Sequence, residues 1–179
     1  MINFIHDAMK SLFSKNKLRI DSCGTKHWKL NGKYHREDGP AIEYPDGSQY
    51  WYINDELHRE DGPAIEWEDG TTAWYMNGEC HREDGPAIMR ADGTKEWELN
   101  GKLHREDGPA IEYANGIKVW LINGNMHRED GPAIEYPDGT NQWCINGKKI
   151  NLEQIIKYYP NGYGPWSASD LLKLKLKYL

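Results

Sequence analysis

The chain has 179 residues, of which only 38% are hydrophobic, and a mean hydropathy of −0.87, which is too little apolar content for a thick globular core. Eight Trp and eleven Tyr stand against two Phe, so burial rests on aromatics that keep one polar edge. A formal charge of −6 excludes a general nucleic-acid binder, which would carry a basic patch or stripe.

At the N-terminus, Ile2, Ile5, Met9, Leu12 and Phe13 follow helical spacing and predict an amphipathic helix over residues 3–14, within a cap covering residues 1–21. Asp7 and Lys10 interrupt the apolar pattern, so no secretory leader is expected there, and no run of the sequence is long enough to cross a bilayer. Cys23, Cys80 and Cys144 are an odd number with no CxxC, which points to free thiols in a reducing, cytoplasmic setting.

From residue 22 to 150 the chain repeats every 23 residues. The heptapeptide HREDGPA begins at His35, His58, His81, His104 and His127, with no insertion or deletion between copies. Glycines at 24, 47, 70, 93, 116 and 139 are each followed four residues later by a tryptophan: Trp28, Trp51, Trp74, Trp97, Trp120 and Trp143. Three residues after each comes an asparagine, from Asn31 to Asn146, followed by Gly except at Asn54, where Asp55 stands. A fixed period of this length is the signature of a repeat architecture. Asp-Gly or Asn-Gly between "AIEY"-like and "QYWYI"-like runs predicts one β-hairpin per repeat. "GKLHREDG" then bridges to the next unit.

Alternation assigns the faces. The uniform Trp51/Ile53 positions, matched by Trp74/Met76, Trp97/Leu99, Trp120/Ile122 and Trp143/Ile145, read as the buried side. Ile42 and Leu57, with their counterparts, are expected to join this core. Tyr50, Tyr52, Trp67, Tyr75 and Tyr113 lie elsewhere on the strands and form the candidate partner surface.

Beyond Gly147 the pattern breaks, since Ile150 stands where a His is due. "NLEQIIKYY" reads as a short helix with Asn151 as its N-cap, and "SASDLLKLKLKYL" mixes helical and alternating signals. Residues 151–179 thus form a C-terminal cap. The fold class is all-β: an elongated antiparallel array of about five and a half hairpin repeats with short α-helical caps at both ends.

The 23-residue hairpin unit with "W…NG" and "DG" resembles MORN-type repeats, especially the variant bacterial kind with "WYxNGK". The wording "HREDGPA" is similar to a subgroup of repeat proteins from bacteria, phages and large DNA viruses. The resemblance spans residues 22–150 and departs from the usual MORN spacing at "LHREDG", which lengthens and charges the loop. It implies a scaffold or binding module, with no family catalytic residues to transfer and no cofactor.

Three chemistries suit the repeated charged loop. Metal binding needs several ligands converging, but successive histidines stand two strands apart, about 10 Å. Acid–base catalysis suits His beside carboxylates, yet five equal copies without a recurring nucleophile do not describe an enzyme. A polar ladder between repeats fits best. It comprises His35, Arg36, Glu37 and Asp38; His58, Arg59, Glu60 and Asp61; His81, Arg82, Glu83 and Asp84; His104, Arg105, Glu106 and Asp107; and His127, Arg128, Glu129 and Asp130. In it Arg36 is expected to reach the acids of the next repeat, Glu60 or Asp61. The expected function is a non-enzymatic scaffold for a protein partner, in its specific form a phage or viral factor acting on a host protein. Alternatives are a membrane-surface adaptor, using Lys10, Lys15, Lys17 and Arg19, and a repeat that binds nucleotides or carbohydrates.

Overall fold

Two turn signals alternate along the array, and each closes a hairpin of its own. This is seen in the computed structural model, which describes residues 17–150. Among these residues every regular element is a β-strand; the two expected helices lie outside them, while Lys17–Ile20, placed in the 1–21 cap by the sequence, is a strand paired with Lys26–Leu30. In the first kind of hairpin, strand Ile42–Glu43 pairs with Gln49–Tyr50. Its turn is held by Asp46, whose Oδ1 accepts the Ser48 N–H at 2.8 Å, and by Gly47 at φ 100°, a conformation open to glycine. In the second kind, Tyr52–Ile53 pairs with Glu56–Leu57. Here Asn54 (φ 55°) and Asp55 (φ 72°) are both left-handed, the requirement of a type I′ turn.

The second hairpin corrects the sequence reading. Asn-Gly does not merely end a strand: two consecutive positive-φ residues reverse the chain, and the "GKL" residues return as a strand instead of a bridge. Trp51 is the junction between the hairpins. Its N–H donates to the Ala64 carbonyl at 2.8 Å and its carbonyl accepts the His58 N–H at 3.1 Å, so the strand breaks there.

The chain divides into two compact units, one ending at His81 and the other beginning at Arg82. In the first, the strands pair antiparallel in the order Lys17–Ile20, Lys26–Leu30, Ile42–Glu43, Gln49–Tyr50, Ile65–Glu66, Thr72–Ala73. In the second, the order is Ile88–Met89, Lys95–Glu96, Ile111–Glu112, Lys118–Val119, Ile134–Glu135, Asn141–Ile145, Lys148–Ile150. Within each unit the Asn-Gly hairpins are bonded one to the next. Asp55 N–H donates to Tyr34 O and Gly78 N–H to Leu57 O in the first unit, and Gly124 N–H donates to Leu103 O in the second.

Register sorts the two faces differently from the simple alternation. Directly opposed residues share a face, and Ile42 is opposed to Tyr50, Ile65 to Ala73 and Ile111 to Val119. The buried isoleucines therefore lie with the varied positions, not with tryptophan. In the second unit Ala110, Ile111, Val119 and Leu121 form the core, with Leu103, Met126 and Ile134 packed against it, so the Asn-Gly hairpins cover this face. Alanines 41, 64, 87, 110 and 133, each directly preceding an isoleucine in the sequence, have 0% exposure. Trp28, Trp51, Trp74, Trp97 and Trp120 are half-buried and only Trp143 is buried, which corrects the expectation of a uniform tryptophan core.

Candidate functional site

The tryptophan face is covered by the HREDG loops. Arg36 stacks on the Trp28 ring, Arg59 on Trp51, Arg105 on Trp97 and Arg128 on Trp120, with guanidinium carbons 3.9–4.2 Å from the ring centroids. A guanidinium over an indole face gains cation–π attraction and shields the ring from water. The opposite side of each guanidinium lies against a glycine. A Cβ added at Gly39, Gly62, Gly85, Gly108 or Gly131 would fall 2.6–3.0 Å from the arginine Cζ. Arginine fills the space a side chain would take at this position, so a larger residue there must displace the guanidinium.

The rest of the guanidinium is bonded within its own repeat. Nε donates to the aspartate two residues on, at 2.7–3.0 Å in all five loops. One terminal nitrogen donates to the proline carbonyl four residues on, at 3.1–3.4 Å. The same nitrogen reaches Glu43, Glu66, Glu112 and Glu135 in the strand that follows. Arg36 therefore does not bridge to Glu60 or Asp61: its carboxylates are Asp38 and Glu43, because stacking on Trp28 turns it back onto its own loop. In consequence Arg36, Arg59, Arg82 and Arg105 hold the carboxyls of Asp38, Asp61, Asp84 and Asp107 below the usual aspartate value.

The histidine makes the forward link. Asn54 N–H donates to Nδ1 of His35, Asn77 N–H to His58, Asn123 N–H to His104 and Asn146 N–H to His127, at 3.2–3.3 Å. The same Nδ1 lies 3.1 Å from Asn54 Oδ1 at His35 and 2.9 Å from Asn77 Oδ1 at His58, and Nε2 faces the glutamate two residues on, 3.6 Å away at Glu37 and 3.8 Å at Glu60. Each of these four loops is thus tied to the next Asn-Gly turn by histidine. The glutamate is different. The side chain of Glu37 is 84% exposed, as is that of Glu60, and Glu106 is similar at 87%.

Between successive loops lies a groove. One of about 720 Å³ has Trp51 and Ile53 as its floor, Arg59 and His58 beside them, and Glu37 and Glu60 at its rim. Equivalent grooves of about 480 Å³ over Trp97 and about 780 Å³ over Trp120 have the same lining types. Among the described residues, no three His, Cys, Asp or Glu side chains gather as a metal site, and Cys23, Cys80 and Cys144 are free thiols.

Of the aromatic partner surface expected from sequence, Tyr50, Tyr52 and Trp67 make ring contacts in the first unit. Tyr50 meets Tyr44 and Trp67 edge-on at 5.4 and 6.2 Å, while Tyr52 packs on Tyr34 at 5.7 Å. Burial of Tyr50 and Tyr52 raises their hydroxyl pKa values. Tyr75 is half-buried opposite Cys80, and Tyr113, 42% exposed, belongs to the second unit. The groove itself escaped the sequence reading. Its signal was the arginine–glycine spacing inside HREDG, which marks a side chain folded back over a residue without Cβ.

The chain matches no family model, and no curated protein is significantly similar to it. Among the described residues no helix is long and apolar enough to cross a membrane.

Proposed function

We propose that this protein is a non-enzymatic binding scaffold of MORN-like hairpin repeats, whose row of inter-loop grooves receives an extended, basic segment of a protein partner. The observation that carries this reading is the recurrence of one groove: an indole floor flanked by histidine and arginine, with exposed carboxylates at the rim. The arginine, aspartate, glycine, alanine and histidine of the heptapeptide each have a packing or hydrogen-bonding task inside the protein. Glu37, Glu60 and Glu106 make a long contact to histidine and are 84–87% exposed, and the glutamate recurs in all five copies. A residue held constant while facing water is explained by something outside the chain. The rim carboxylates and the net charge of −6 favour a cationic occupant.

Geometry narrows the occupant further. Equivalent residues of adjacent repeats within a unit are separated by two strand spacings, about 10 Å, which an extended peptide covers in about three residues. A segment with a Lys or Arg at every third position matches the row. Similarity to phage and viral repeats extends the proposal to a partner from a host cell.

The test is fluorescence anisotropy with peptides carrying lysine at every second, third or fourth position, alongside an acidic peptide. The three-residue spacing should bind most tightly and weaken as salt rises. A protein with Glu37, Glu60 and Glu106 changed to Gln should melt at an unchanged temperature and lose most of that binding. Equal binding by all spacings, or by the Gln protein, refutes the reading.

A further inference from the structure

The first hairpin departs from the repeat in a way that the scaffold reading leaves unexplained. Strands Lys17–Ile20 and Lys26–Leu30 pair so that Lys17 stands directly opposite Lys29, and Arg19 directly opposite His27. Like charges placed opposite one another across an antiparallel pair are destabilising. All four are on one face, and that face continues into the core, because His27 is in turn opposed to Ile42. The alternate residues of these strands point the other way, where Lys26 is neutralised by Glu43 at 2.9 Å.

In the first group, among the described residues, only His27 has a carboxylate partner, Asp21. Among the described residues neither Lys17 nor Arg19 has an ion-pair partner, and Lys29 lies over the Tyr34 ring with Nζ 4.1 Å from its centroid. The four basic groups and Tyr34 line a single cavity of about 770 Å³. Asp21 also lines it, but its carboxylate is already engaged: Oδ2 with His27 Nε2 at 3.1 Å, and Oδ1 by the Cys23 and Thr25 N–H groups. The other ring nitrogen of His27, Nδ1, is buried without a hydrogen-bond partner. Lys17, Arg19 and Lys29, without a carboxylate partner on this face, leave the field in the cavity positive, which favours an anionic occupant.

We infer that the cavity formed by Lys17, Arg19, His27, Lys29 and Tyr34 is a binding site for a phosphate-bearing anion, separate from the acidic groove row. Arg19 offers a planar fork for two phosphate oxygens, Lys17 and Lys29 supply point charges, and the Tyr34 ring forms an aromatic wall. The same chemistry would accept a free phosphorylated compound or the headgroup of an anionic lipid.

The experiment is isothermal titration calorimetry of the full chain with inorganic pyrophosphate at low ionic strength. In parallel, phosphatidylcholine vesicles with and without phosphatidic acid are floated with the protein. Saturable pyrophosphate binding is expected, weakened about tenfold or more by Arg19→Gln, since a hydrogen bond to a charged group is worth roughly 1.5–3 kcal/mol. Lys102→Gln, a change at an exposed lysine outside the cavity lining, should bind like the parent. Pyrophosphate should also raise the melting temperature of the parent and not that of Arg19→Gln. If Arg19→Gln misfolds by circular dichroism, Lys17→Gln at the sheet edge carries the same comparison. Flotation with the acidic vesicles only, competed by pyrophosphate, assigns the site to a lipid headgroup, and pyrophosphate binding without flotation assigns it to a soluble ligand. Absence of both, or equal binding by Arg19→Gln and Lys17→Gln, overturns the inference.

Discussion

A glycine and an arginine explain most of the heptapeptide. Arg59 is held between the Trp51 ring at 4.1 Å and Gly62, whose missing Cβ would stand 2.6 Å from its Cζ. Gly62→Ala should therefore displace the guanidinium from the indole and cost about 1 kcal/mol, the scale of a partly shielded cation–π contact. Urea unfolding measures this, and the same substitution made in an Arg59→Ala background should cost markedly less. Equal costs in the two backgrounds would show that the guanidinium is not what fills the space. Ala64, fully buried and accepting the Trp51 N–H through its carbonyl, leaves no room for a larger side chain. Ala64→Val should destabilise by about 1–3 kcal/mol through overpacking, read from the same unfolding midpoints.

Hairpins are the next level, and here the two turn types have different duties. The Asp-Gly turn is linked to its neighbour by a small hydroxyl: Ser48 Oγ accepts the Glu68 N–H at 3.1 Å, and Thr94 Oγ1 accepts the Ala114 N–H at 3.2 Å. The Asn-Gly turn is linked by histidine. Asn77 combines a left-handed backbone (φ 51°) with an N–H donated to His58 Nδ1. Alanine there must adopt a conformation costing roughly 1–2 kcal/mol, so Asn77→Ala should lower the melting temperature and Asn77→Gly should lower it less. Reversal of that order would remove the backbone explanation. Both turn sequences were legible as turns. What was not legible is that the Asn-Gly turn begins a second hairpin, because a two-residue strand carries too few side chains to show an alternation.

For the molecule as a whole, nearest-neighbour links dominate, as expected when each repeat contacts chiefly the next. Acid should undo them together. The carboxyls of Asp38, Asp61, Asp84 and Asp107 titrate below their ordinary value of about 3.8 because each bonds an arginine. A folded-state pKa below the unfolded one adds stability that is fully present above the unfolded value and is lost as pH falls through the folded one. The melting temperature should hold steady from neutral pH to about pH 5 and fall below about pH 4. Changing all four aspartates to Asn should lower stability at pH 7 and flatten the acid decline. An unaltered acid profile in that variant would place the titration elsewhere.

The amino-acid order by itself determined the period, the all-β class of the repeats and both sets of turns. Those depend on local backbone preferences and on a repeat visible within one chain. It also singled out the HRED residues, and it suggested a ladder in which arginine crosses between repeats. The tertiary structure decided which side chain does the crossing: histidine reaches forward to the next Asn-Gly turn, while arginine turns back onto its own tryptophan. It also decided that isoleucine and tryptophan occupy opposite faces, and that Lys17, Arg19, His27 and Lys29 share one cavity. These outcomes depend on strand register and on the break at each tryptophan. Both are set by pairing between residues distant in sequence, which no local pattern encodes.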